Sequence, residues 1–207
     1  MTLQNLYPDS LDMLTARARY FELNHFGESG GYDDPFVDFA IGPLSFRFPN
    51  SQARLRAVRY HDLHHVVTGY QTTTLGEFEI SAWELGAGCR DFIAAWLLNL
   101  GGLGGGLLSM PRRTWRAFLR GRHSRSLYNE ELATLLRENV GQVRARTGVA
   151  DASTAGARLS DVLLFALFAV LGLLVGTLLL LVGAGLALPL LVSKVLRSTL
   201  GGFRVRG

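Results

Sequence analysis

A single cysteine, Cys89, stands among 207 residues. An intramolecular disulfide and a cysteine-based zinc site are therefore both excluded, and the thiol reads as a small buried apolar side chain. The N-terminal M-T-L-Q-N-L-Y-P-D-S-L-D lacks the arginine-rich, acid-poor character of a mitochondrial transit peptide and the apolar core of a signal peptide, which predicts a bacterial protein made in the cytoplasm. No nucleic-acid-binding module is present, so no nucleic-acid partner is expected. The glycines at 101–106 lack the lysine and the strand context of a phosphate-cradling loop. Charge is missing from two long stretches: the 19 residues Phe92–Met110 and the 31 residues Val162–Val192.

The second stretch exceeds the roughly 20 apolar residues that cross a bilayer core, and a soluble domain of this size could hardly bury it. It is too short for two full spans. A tilted single span and a shallow hairpin broken near Gly183 and Gly185, with Pro189 as a further bend point, both fit. Arg144, Arg146 and Arg158 precede it and Lys194, Arg197, Arg204 and Arg206 follow, so the positive-inside comparison nearly ties. Gly172-x-x-x-Gly176 has the spacing of a helix-pairing motif, which leaves a homo-oligomer open. Net charge is −5 over residues 1–91 and +9 over 92–207. Basic charge beside an apolar run points to an anionic membrane surface.

The rest of the chain reads as helical. A first helix is predicted from a cap at Ser10 to about Leu23, with Leu11, Leu14 and Phe21 facing a core. A loop follows at Gly27–Pro35, then an apolar stretch, Phe36–Phe48, bent at Gly42-Pro43. Phe92–Met110 carries five glycines between 101 and 106. It suits a buried core helix, a membrane-dipping segment, or a groove for a polyprenyl tail, with close helix packing as the plainer alternative. Pro111 opens a helix on which Arg112, Arg116 and Arg120 share a face and Trp115 and Phe118 interleave, suited to anionic lipid or to solvent. From Asn129, the spacing of Leu132, Leu135, Leu136 and Val140 predicts one amphipathic helix running towards Arg146. The fold class is all-α: a helical metal-binding domain (1–149), a linker (150–160), a transmembrane or hairpin segment (161–193) and a basic tail (194–207).

Chemistry concentrates in R-Y-H-D-L-H-H at 59–65, which holds three of the chain's five histidines. Leu55, Val58 and Val66 recur at helical spacing after Asn50 and Ser51, so these histidines belong on a helix. At about 100° per residue His61 and His65 share a line, with Asp62 on one flank and His64 on the other. Geometry alone leaves His61, Asp62, His65 and His61, His64, His65 equally open as the converging set. A turn over Thr68–Gly76 should lead into a second helix opened by Glu77. An i, i+4 histidine pair with a carboxylate from the next helix is a donor set for zinc, manganese, iron or cobalt.

The pattern His61-Asp62-x-x-His65, eleven residues, Glu77 resembles the signature of the Coq-four family of ubiquinone (coenzyme Q) biosynthesis proteins. Arg56, Arg59, Tyr60, Thr68, Gly69, Leu75-Gly76, Trp83-Glu84, Gly121-Arg122 and Ser126–Leu132 are similar as well, and the likeness covers roughly Tyr32 to Val149. It implies that His61, Asp62, His65 and Glu77 hold a divalent metal, zinc first among the candidates, and leaves His64 without a role as ligand. It also implies late action on a prenylated aromatic ring, by removing the ring carboxyl with oxidation at that carbon, by organising the other quinone-biosynthesis enzymes, or both. Asp62 or Glu77 would move a proton if it is not a ligand. The expected partners are membrane lipid and a prenylated aromatic or quinone ligand, at the bacterial cytoplasmic membrane with the domain facing the cytoplasm. The hydrophobic tail departs from the family's peripheral attachment.

Two other functions fit the residues less well. A non-catalytic lipid-binding scaffold with a structural metal would need a coordination shell filled by protein. A di-iron desaturase or hydroxylase, suggested by His61-x-x-His64-His65, needs more histidine boxes than five histidines supply.

Overall fold

A computed structural model describes residues 6–41, 44–149 and 156–201. Most of the expected linker (150–155), the Gly42-Pro43 bend and residues 202–207 of the tail lie outside the described residues. Among those described, the chain is helical apart from one antiparallel strand pair. The elements are α1 (Met13–Leu23), β1 (Phe36–Ile41), β2 (Leu44–Pro49), α2 (Gln52–Thr68), α3 (Thr74–Ala87), α4 (Ile93–Ser109), α5 (Pro111–Arg122), α6 (Leu132–Leu135), α7 (Val140–Thr147) and α8 (Leu159–Gly201). The apolar stretch at 36–48 is the strand pair, with Phe36 opposite Pro49 and Ile41 opposite Leu44.

Capping sets the first boundary. Asp12, not Ser10, starts α1, because its carboxylate accepts the Thr15 N–H at 2.8 Å. The buried face is Met13, Ala16, Tyr20 and Phe21, so Leu14 points outward. The helix expected from Asn129 towards Arg146 is instead two short ones. Backbone carbonyls of Leu136 and Glu138 accept the N–H groups of Leu14 and Met13, which breaks the helical run before Asn139 caps α7.

α2 and α3 form the hairpin that carries the chemistry. Ser51 caps α2, and Gly69 ends it with φ +76°, its N–H donating to the His65 carbonyl at 2.8 Å. α3 begins at Thr74, a turn earlier than expected, because the Thr73 hydroxyl accepts the Gly76 N–H. Glu77 therefore sits inside its first turn. One core lies on the α1 and α7 side, around Met13, Leu63, Trp83 and Val143; the other lies between α3, α4, α5 and the start of α8, around Leu85, Leu103 and Phe118.

The glycines of α4 are filled by neighbours. A Cβ on Gly102 would strike the Ser81 side chain of α3, one on Gly105 the Phe78 ring, and one on Gly104 the Gly172 carbonyl of α8. Close packing is thus what this face does. The opposite side of α4 exposes Ile93, Leu97, Leu98 and Leu108.

α8 runs without interruption through Gly183, Gly185 and Pro189, which makes it one helix and not a hairpin. Over the 25 residues Leu159–Gly183, whose most apolar 18-residue window has mean hydropathy 2.8, it is long and apolar enough to cross a membrane. Its first turns belong to the domain core. Phe165 packs on Trp115 and Phe118, and Phe168 on Trp96. Asp161, buried at its start, accepts from Arg122 at 2.9 Å and from the Arg158 N–H at 3.0 Å. Beyond these turns Leu167, Val170, Leu174 and Leu178 face outward.

Candidate metal centre

His61 and His65, one turn apart on α2, meet Glu77 of α3, with one potential ligand atom from each within 4.8 Å of the others. Glu77 Oε2 lies 3.2 Å from His61 Nε2, and its Oε1 lies 3.3 Å from His65 Nε2. The two Nε2 atoms are themselves 3.2 Å apart.

Their hydrogen-bond partners decide what those nitrogens offer. His65 Nδ1 is 2.7 Å from the Tyr70 carbonyl oxygen, which can only accept, so the proton is on Nδ1. His61 Nδ1 is 2.8 Å from Glu84 Oε1 and donates to that carboxylate. Both Nε2 atoms therefore present lone pairs to the same point, and two lone pairs 3.2 Å apart beside a carboxylate need a shared cation. A proton satisfies this, and so does a divalent metal. The donor set, two neutral imidazoles and a carboxylate, fits such a metal.

Electrostatics follow from the same contacts. Burial lowers the His61 pKa, but the Glu84 charge and hydrogen bonds to Glu77 and Glu84 outweigh it and hold the imidazole well above its ordinary range. Burial would raise the Glu77 carboxyl; hydrogen bonds from His61 and His65 overcome it and leave the group well below the usual carboxylate range. His65 is held in place by the Tyr20 ring, stacked on it at 5.4 Å.

Asp62 is not one of the grouped ligand atoms. Its Oδ2 accepts the Tyr32 hydroxyl at 2.6 Å, and burial raises its pKa despite the opposing charges of His61 and His65. Among the four residues that the family resemblance puts at the metal, the structure thus brings His61, His65 and Glu77 together and sets Asp62 beside them, tied to Tyr32. His64 is turned away. Its Nδ1 donates to Glu84 at 2.7 Å and its Nε2 accepts the Leu127 N–H at 2.9 Å, so both ring nitrogens are used and burial favours the neutral form.

Glu84 is the residue whose role spacing did not reveal. Fully buried, it accepts from His61 and His64 at Oε1, and from Asn99 (2.5 Å) and the Tyr128 hydroxyl (2.6 Å) at Oε2. Burial would raise its pKa, but the charges of His61 and His64 and the hydrogen bonds they donate overcome this and keep it well below its ordinary value. Signals for it were present: Glu84 lies seven residues after Glu77, on the same helical line, inside an apolar run. Asn99 likewise stands alone as an amide in the uncharged stretch that became α4. Cys89, buried against Asn99 and the Glu84 carbonyl, has its thiol pushed up by burial.

Compared with protein-family models, with curated proteins and with solved structures, the chain found no match.

Proposed function

We propose that this is a membrane-tethered, metal-dependent protein of ubiquinone biosynthesis, similar to the Coq-four family, that removes the carboxyl of a prenylated aromatic ring as carbon dioxide, with oxidation at that carbon by a two-electron oxidant taken up as co-substrate. The observation that carries the catalytic side of this reading is the donor count. Among the described residues three protein ligands converge, not four, and an incomplete shell is the arrangement of sites that process a ligand, whereas structural zinc sites are closed. A scaffold with a structural metal is for that reason the weaker reading.

When bound, the metal, zinc first and manganese, iron or cobalt as alternatives, would supply a positive centre for the ring carboxylate and for the negative charge left on the ring as carbon dioxide departs. His61 and His65 hold their Nε2 lone pairs in place through Glu84 and the Tyr70 carbonyl. With Glu77 counted as a ligand, Asp62, kept nearer to protonation by burial, is the group able to hold or move a proton beside the ring. A prenylated ring hardly leaves the bilayer, so a helix such as α8 brings the site to the substrate. The location proposed is the bacterial cytoplasmic membrane with the domain on the cytoplasmic side, where other quinone-biosynthesis enzymes would be partners.

Complementation tests the reading. In cells lacking their own Coq-four-like protein, the wild type should restore ubiquinone and clear the carboxylated intermediate, and His65→Ala at equal protein level should not. Absence of rescue by well-expressed, membrane-located wild type would remove the quinone substrate.

A further inference from the structure

Two guanidinium groups, Arg17 on α1 and Arg59 on α2, stand over the Tyr32 ring with no salt-bridge partner among the described residues, and Arg54, earlier on α2, has none either. Arg17 and Arg59 lie 6.0 and 5.5 Å from the centre of the Tyr32 ring. The hydroxyl of that ring donates to Asp62, the neighbour of His61. Arg54 is half-buried, and its one described side-chain bond, 2.8 Å to Asn50 Oδ1, goes to a neutral amide. Burial lowers its pKa, and the charges of Asp62 and Tyr32 only partly offset this.

Three other half-buried arginines of this protein are treated differently, although Arg19 on α1 also has no described side-chain partner. Arg146 reaches two carboxylates, Arg144 an aspartate and three carbonyls, and Arg120 two carbonyls. A guanidinium offers five N–H donors, and holding one half out of water with a single neutral acceptor is unfavourable. One cation over a tyrosine ring is stabilising; further cations gathered at the same ring repel one another unless an anion lies among them. Asp33 and Asp34, exposed on the same loop as Tyr32, form no salt bridge with any of the three, and Asp62, the one anion whose charge reaches Arg54, gives an oxygen to the Tyr32 hydroxyl and likewise forms no salt bridge with them.

We infer that Arg17, Arg54 and Arg59 form an anion-binding subsite around Tyr32, beside the metal centre, which takes the carboxylate or phosphate group of the ligand. This rests on the reading of the metal centre as a ligand-processing site. Tyr32 and Asp62 then link the subsite to α2 at His61, so an anionic group held by the arginines lies next to the donors of the metal.

Titration of the full chain in zwitterionic nanodiscs, loaded with zinc, tests it with benzoate and inorganic phosphate as probes. Benzoate should bind with an affinity that falls as salt rises, and Arg54→Gln with Arg59→Gln should weaken it at least tenfold without changing zinc stoichiometry. Arg59 is exposed, so Arg59→Gln alone keeps the test valid if the double variant does not fold. Competition by phosphate would extend the ligand class to phosphate esters; its absence would confine the subsite to carboxylates. Zinc binding with no binding of either anion, or equal benzoate affinity in the variants, would overturn the subsite while leaving the metal centre standing. Failure of the wild type to bind zinc would instead overturn the metal reading itself.

Discussion

At the scale of the residue, the metal centre depends on a carboxylate that need not touch the metal. Glu84 fixes the His61 proton on Nδ1 and at the same time accepts from His64, Asn99 and Tyr128. Glu84→Gln puts an amide donor where the carboxylate accepted, so at least one of those four donors loses its acceptor. The expected result is a loss of zinc affinity of about 10–100-fold, the usual size of such outer partners, read by competition with a chelating dye.

Protonation of the metal-free centre has a defined sign. The Glu77 contribution to stability is complete above the ordinary carboxyl value of 4.5 and is lost as pH falls through its depressed folded value. The His61 contribution is complete below the ordinary 6.5 and is lost as pH rises through its elevated folded value. The joint contribution of Glu77 and His61 to the metal-free protein should therefore be complete between about 4.5 and 6.5. Thermal unfolding from pH 3 to 9 checks this, and a His65→Ala, Glu77→Gln variant should show a flatter profile.

At the scale of the element, α4 depends on the absence of side chains. Gly104→Ala brings a better helix former, by about 1 kcal/mol, but places a methyl against the rigid Gly172 carbonyl of α8. Backbone cannot rotate away as a side chain can, so the collision outweighs the propensity gain. A net loss of roughly 1–3 kcal/mol is expected, measured as a lower unfolding midpoint in detergent micelles. Leu97→Ala on the exposed side of the same helix should change the midpoint far less.

At the scale of the whole molecule, α8 is both a membrane-crossing candidate and part of the domain. Removing the chain from residue 159 onward would uncover Trp96, Trp115 and Phe118 and leave Arg122 without Asp161. The truncated protein should aggregate or sediment with membranes and not behave as a soluble domain; fractionation after expression decides it. Arg112 and Arg116, exposed at the start of α5, and the bare apolar side of α4 lie on the same body as α8. That combination of apolar and basic surface suits an anionic bilayer.

Sequence alone settled what local physics controls. Thirty-one uncharged residues declare α8 because length and hydropathy are additive along a chain. The i, i+4 spacing of His61 and His65 puts them on one line of α2, and Ser51 and Gly69 mark its ends. Periodicity failed at Leu14 and over 132–146, where backbone groups of distant segments claimed each other and overrode helical propensity. Only the tertiary structure decided which donors converge. Asp62 and His64 flank the same face of α2 symmetrically, and they part because Tyr32 arrives on one side and Glu84 and Leu127 on the other. Those partners come from residues 20 to 63 positions away, a separation at which no pattern along the chain records the contact. The glycines of α4 are of the same kind: their use depends on Phe78, Ser81 and Gly172, brought against them by packing.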